Sequence, residues 1–103
     1  MVSEFANQVY NTVKKIPEGK ISTYKEVAIA IGKPTASRAV GQILKKNPYA
    51  PIVPCHRVVS SNGAIGGYFG VTNSNIKLEL LQEEGIPILD NKVITMKDFL
   101  HPF

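Results

Sequence analysis

Cysteine, histidine and arginine stand side by side in Pro54-Cys55-His56-Arg57-Val58, and all three are scarce. The chain of 103 residues has one cysteine, two histidines and two arginines. A thiol titrates at about pH 8.5 in the open, and cationic neighbours or a helix N-terminus lower that value. Thiolate is the nucleophilic form, so a cysteine beside His56 and Arg57 has the makings of an activated nucleophile. In extended chain, adjacent side chains point to opposite faces, so His56 cannot simply lie against Cys55. A turn, a water or a third residue has to connect them. The competing reading is a small buried hydrophobe, a common fate of free cysteine. Composition alone favours that reading.

Length allows one domain with a core of its own and is too short for two. A hydrophobic fraction of 44% with ordinary Gly and Pro describes a globular chain. No apolar run reaches the length of a membrane span, and no signal-peptide core opens the sequence. A single cysteine excludes an intramolecular disulfide, fits a reducing intracellular compartment, and argues against a Cys-rich zinc site. Charge is unevenly spread. From Tyr10 to Arg57 there are nine Lys or Arg against Glu18 and Glu26, whereas from Val58 onward three Lys face five acidic residues. A basic half of this kind is the footprint expected of a phosphate-binding surface, although solvated lysines alone would look similar.

The elements that must position the pentapeptide are legible on both sides of it. Phe5, Val9, Val13 and Ile16 have the spacing of one helical face, with Ser3 as N-cap, over residues 3 to 16. Thr23-Tyr24-Lys25-Glu26 is a capping box opening a short helix that Gly32 and Pro34 stop. A second helix is expected from about Thr35 to Lys46, burying Ala36, Ala39, Val40, Ile43 and Leu44. The pair reads as a helix-turn-helix. The outward face of the second helix carries Ser37, Arg38, Gly41 and Lys45. A mid-helix Gly costs about 1 kcal/mol against Ala, which points to close approach by another surface, a nucleic acid or a neighbouring element. After the pentapeptide, residues 58–65 read as a hairpin turning at Asn62-Gly63 in type I′ form. Ser74 could cap a helix through Ile76, Leu80 and Leu81 that ends at Gly85, and 88–94 could form a second hairpin. The expected architecture is mainly α, winged-helix-like, with a small β-hairpin wing. It is one domain over 1–103, with a core at 3–85, a tail at 86–103, and no N-terminal domain ahead of it.

Pro54-Cys55-His56-Arg57-Val58 resembles the signature pentapeptide of the alkylguanine-DNA alkyltransferases, and the resemblance runs from about Phe5 to Gly85. It implies a DNA repair protein that moves an alkyl group from guanine O-6 irreversibly onto Cys55, without cofactor or metal. It implies that the second helix enters the minor groove, which carries little sequence information, and that the target base is flipped out. Arg38 would fill the vacated space, and Tyr24 would help rotate the phosphate. By the same resemblance, Asn47 is the hinge tying the helix-turn-helix to the active-site loop. Tyr68 lines the guanine pocket beside Arg57 and Val58, and donates its hydroxyl to the departing base. The carbonyls of Cys55 and Val58 accept from the base's exocyclic amine, and Glu84 orients His56. Two more residues separate Tyr68 from Lys77 than in better-known members. Phe69 stands where those members carry a small or polar residue.

These readings imply a monomer acting on double-stranded DNA containing alkylated guanine. It would be intracellular, cytoplasmic or nuclear according to source. A water or His56, oriented by Glu84, would take the Cys55 proton before the thiolate attacks. Three alternatives remain. A lesion sensor without transfer would resemble the alkyltransferase-like proteins, which carry another residue, commonly Trp, at the nucleophile position. A winged-helix regulator would leave Cys55 structural, and a Cys-His hydrolase would need an oxyanion motif that is not recognisable here.

Overall fold

The computed structural model describes residues 3–46, 52–65 and 76–103. Helix α1 spans Glu4–Val13, capped by the Ser3 hydroxyl accepting from the Ala6 N–H at 3.1 Å. It is shorter than its apolar stripe. Lys15 and Ile16 N–H groups bond back only three residues, to Thr12 and Val13, and this tightened last turn carries Ile16 inward outside the helix. Strand β1 (Ser22–Thr23) runs directly into α2 (Tyr24–Ala30), where Thr23 Oγ1 accepts from the Glu26 N–H at 3.0 Å. Helix α3 (Ser37–Lys45) packs on α1 and α2.

The inward stripe of α3 is narrower than expected. Val40 and Leu44 are buried, Ala36 and Ile43 are half-buried, and Ala39 is exposed. Ala39 precedes Val40 by one residue, about 100° round the helix, and so faces outward with Arg38. The helix also starts two residues late, without a side-chain cap, because Pro34 lies within a turn from Lys33 to Ala36.

A 3-10 turn, Cys55–Arg57, leads into β2 (Val58–Val59), which pairs in parallel with β1, Ser22 opposite Val58 and Thr23 opposite Val59. Alternation along β2 divides the interior. Val58 enters the cluster built by α1, α2 and α3, while Val59 enters a second cluster with Ile21, Ile65, Leu81, Ile86 and Val93.

The turn after β2 differs from expectation. Gly63 N–H bonds to Ser60 O at 2.8 Å and Ser60 N–H to Ala64 O at 3.0 Å. Gly63 alone has positive φ there (+89°). This is a three-residue loop closed by a left-handed glycine, not a two-residue type I′ turn, which needs positive φ at both central residues. That conformation occurs instead at Asp90-Asn91 (φ 53° and 60°), between β3 (Ile88–Leu89) and antiparallel β4 (Lys92–Val93). The wing is then completed by the tail. Ala64 pairs with Lys92, and Val93 N–H bonds to Gly63 O at 2.9 Å.

Helix α4 (Ile76–Glu83) closes the second cluster. Its inward residues are Lys77 and Leu81, while Ile76 is 51% exposed, so the apolar stripe expected through Ile76 is displaced by one position. Ser74 lies outside the described residues. Gly85 (φ +85°) ends the helix in a Schellman turn, with Ile86 N–H on Leu81 O and Gly85 N–H on Gln82 O, both at 3.0 Å. Among the described residues, no helix is long and apolar enough to cross a membrane.

Candidate functional site

Pro54 sets the entry to the 3-10 turn, and Cys55 N–H folds back onto Val53 O at 2.8 Å. Successive side chains in such a turn diverge by about 120° rather than 180°, which answers the objection from extended chain. Cys55 is 6% exposed in the floor of the helical cluster, and His56 is 3% exposed.

Glu84 reaches this turn from the end of α4. Its Oε2 lies 2.9 Å from His56 Nε2. Its two oxygens also accept from Arg57, Nε to Oε1 at 2.9 Å and Nη2 to Oε2 at 2.7 Å. Arg57 Nη1 donates further to Ile16 O at 2.9 Å. The bidentate pair ties the turn to α4, and the bond to Ile16 O ties it to the turn after α1, a clamp that sequence reading did not assign to Arg57. Burial pushes the Glu84 carboxyl up, but the hydrogen bonds from Arg57 and His56 outweigh it and hold the group below its ordinary range. For His56, burial is the largest influence and pushes the imidazole down. Glu84 pulls it partly back, and the charges of Arg57 and Lys77 add to the depression. A neutral ring beside an ionised carboxylate must place its proton on Nε2, since the carboxylate only accepts. Nδ1 is then the ring's basic nitrogen. Such a histidine can take a proton at Nδ1 while Glu84 holds it from the other side.

Lys77, to which sequence reasoning gave no role, is 1% exposed. Its Nζ donates to Val58 O at 2.7 Å and sits 5.9 Å from the centre of the Tyr24 ring, within cation–π range. Burial holds its ammonium down to about 8, and the thiolate of Cys55 acts in the opposite direction. Both carbonyls expected to meet a base's amine therefore already accept one bond, Cys55 O from the Val58 N–H and Val58 O from Lys77. Each keeps a second lone pair. The signal missed in the sequence was spacing, because Lys77, Leu81 and Glu84 fall on one helical face.

On the outer side, Tyr24, Lys25, Ser37, Arg38, Gly41, Ser60 and Ser61 line an open depression of about 350 Å³. Four residues assigned to DNA from sequence, Tyr24, Ser37, Arg38 and Gly41, meet there. Lys45 is exposed at the end of α3 and is not among them. A Cβ placed on Gly41 would stand 3.8 Å from the Tyr24 ring, an ordinary contact, so packing against Tyr24 does not require glycine. Tyr24 spans the wall between the depression and the interior. Its hydroxyl titrates above the ordinary tyrosine range, through burial first and the Cys55 charge second. Asn47, Tyr68 and Phe69 lie outside the described residues.

The family described as 6-O-methylguanine DNA methyltransferase, DNA binding domain, matches residues 4–86. The chain belongs to this family. Within it, the methylated-DNA–protein-cysteine methyltransferase of Methanosarcina acetivorans is 49% identical over 83 residues, 81% of this chain and 52% of that protein. The protein of the same name from Saccharolobus solfataricus is 49% identical over 85 residues, again 52% of its length. The chain thus spans about half the length of the curated relatives it matches. Among solved structures, S. pombe Atl1 in complex with damaged DNA containing O6-carboxymethylguanine superposes with a TM-score of 0.88 at 32% identity. That match covers 100% of this chain and 99% of Atl1. Mycobacterium tuberculosis OGT in complex with DNA gives 0.76 at 42% identity, over 82% of this chain and 51% of that one.

Proposed function

We propose that this chain is a single-turnover repair protein that transfers an alkyl group from guanine O-6 in DNA to its own Cys55. One observation carries the reading. His56, held on Glu84 at 2.9 Å, adjoins the only cysteine of the chain, one wall away from a depression lined by Arg38, Tyr24 and Gly41. DNA lies on α3 with Arg38 in the space of the flipped base, and Tyr24 meets the phosphate beside it. His56 Nδ1, directly or through a water, takes the Cys55 proton. The thiolate forms the new S–C bond as the C–O6 bond breaks, and its electron pair leaves with guanine, which takes a proton. Asn47 is the hinge, and Tyr68 donates to the departing base. The carbonyls of Cys55 and Val58 select its amine through their remaining lone pairs. Orientation of the two reactants in a closed pocket supplies much of the acceleration. The product is a thioether, so Cys55 is spent. Residues 1–103 act as one catalytic and DNA-binding unit, as a monomer, inside the cell in the cytoplasm or a nucleus.

Lesion binding without transfer is the second reading, favoured by the end-to-end likeness to Atl1. Cys55 at the nucleophile position opposes it. Intact-protein mass after incubation with a duplex containing O-6-methylguanine separates the two. Gain of one methyl group, mapped to Cys55 and absent with undamaged duplex, supports transfer. Tight lesion binding at unchanged mass replaces transfer with sensing, and no lesion preference removes both.

A further inference from the structure

A lysine side chain that is 1% exposed needs a reason, because desolvating an ammonium is costly unless an anion or hydrogen-bond acceptors compensate. The groups facing Lys77 come from three elements. Val58 O of β2 accepts its proton at 2.7 Å, and the Tyr24 ring of α2 lies at 5.9 Å. Cys55 and His56 of the 3-10 turn both interact with it electrostatically, Cys55 as thiolate attracting it and His56 as imidazolium repelling it. No carboxylate bonds Lys77 among the described residues, and Glu84, seven residues along the same helix, is committed to Arg57 and His56. Among the described residues, a carbonyl and a ring face leave this buried positive charge without a carboxylate counter-ion. The Cys55 sulfur supplies one only as thiolate.

We propose that Lys77 is a positioning residue for the transfer, its ammonium moored on the Val58 carbonyl so that the Cys55 thiolate meets a fixed counter-charge. This rests on the transfer reading above. Charge then balances through the step. The ammonium and thiolate face one another before reaction, the thiolate's electron pair becomes the S–C bond, and the pair from the broken C–O6 bond leaves with guanine. Lys77 is left beside a neutral thioether with no anion. The ammonium is therefore favoured before transfer and disfavoured after it. The same bond fixes the orientation of Val58 O, leaving its second lone pair for the base.

The first test needs no DNA and no transfer. Lysine side-chain titration by NMR, with Lys77→Arg identifying the resonance, should place Lys77 at about 8 in the unmodified protein. In Cys55→Ser, or after methylation of the single cysteine by methyl iodide, the midpoint should fall. An unchanged midpoint in both forms overturns the proposal, whatever the protein does with DNA. The second test is kinetic. Lys77→Met should slow methyl transfer at pH 7 by roughly tenfold or more, the effect expected of removing a nearby opposite charge. Arginine keeps its charge at every accessible pH, so the ratio of wild-type to Lys77→Arg rates should fall as pH rises through 8. A pH-independent ratio, or a folded Lys77→Met that transfers at the wild-type rate, overturns the proposal. Failure of the wild-type protein to transfer at all would instead remove the functional reading and leave the titration to be judged alone.

Discussion

Glu84→Gln is the substitution that most directly separates a catalytic clamp from an ordinary surface acid. Glutamine keeps the shape but removes the charge. Its amide oxygen can accept from one Arg57 nitrogen, while its NH2 group confronts a second donor. The Glu84 side chain is 10% exposed and Arg57 16%, so the guanidinium would be left largely buried without its anion. Removing one member of a buried pair costs about 3–5 kcal/mol. Arg57 retains Ile16 O at 2.9 Å and some water, which places the expected loss at about 3 kcal/mol, the low end of that range. For a domain of this size that lowers the melting temperature by roughly 12–24 °C. The chain has no tryptophan, so far-UV circular dichroism in urea is the suitable probe. The folded carboxyl titrates below the unfolded value of 4.5. Its contribution is therefore complete above that value and lost as pH falls through the depressed one, and the gap between wild type and Glu84→Gln should close in acid. Methyl transfer should slow as well, because His56 loses the group holding its Nε2 proton. A variant within about 0.5 kcal/mol of wild type, with an unchanged transfer rate, would refute this account of the site.

Three further outcomes are expected. Lys77 titrates at about 8 folded against 10.5 unfolded, so between those values the unfolded chain binds more protons and stability should rise with pH. The rise, about 3 kcal/mol for a fall from 10.5 to about 8, should appear in wild type and be absent in Lys77→Met, read from urea midpoints across pH 7.5 to 11. Gly41→Ala should stabilise the fold by up to about 1 kcal/mol, since the new methyl meets Tyr24 only at 3.8 Å. It should weaken duplex binding by anisotropy at fixed salt, because Gly41 lines the same depression as Arg38, and unaltered affinity would place the interface elsewhere. Gly63→Ala combines a φ of +89° with a Cβ placed 2.9 Å from Val93 O. It should cost about 2 kcal/mol or more in thermal unfolding, and a neutral result would mean that the tail does not press on this turn.

What could be read from residues alone followed the range of the interactions. The caps at Ser3 and Thr23, the stop at Gly85 and the second hairpin are settled within a few residues, and each forms where local chemistry placed it. The parallel pairing of Ser22–Thr23 with Val58–Val59 joins segments 36 residues apart, and no local pattern specifies it. Asn62-Gly63 shows how context overrides a turn signal. Ser60 and Ala64 close a wider loop because the tail, not residues 58–59, pairs with Ala64. Within the site, Cys55 and His56 were evident from type and adjacency, and Glu84 from family resemblance. The clamp from Glu84 to Arg57 was not, since the spacing from 57 to 84 has meaning only once α4 is docked. Lys77 was hidden for a different reason. Hydrophobic periodicity treats lysine as an outward residue, and it therefore turned the helix to bury Ile76, which the fold exposes.

The docking of the tail has a consequence for the order of folding. Ile21 bonds through its N–H to Phe99 O and through its carbonyl to His101 N–H, both at 2.8 Å, which closes a loop of about 80 residues. Helices α2 and α3 meet across roughly a dozen. The logarithmic growth of closure entropy makes the longer loop costlier by about 1–2 kcal/mol. The three-helix cluster can therefore assemble while the second cluster still lacks Val93 and Leu100. In stopped-flow experiments, Leu100→Ala should then speed unfolding with little change in the refolding rate, while Val40→Ala should slow refolding. The tail would act as the latch that sets how long the native state lasts.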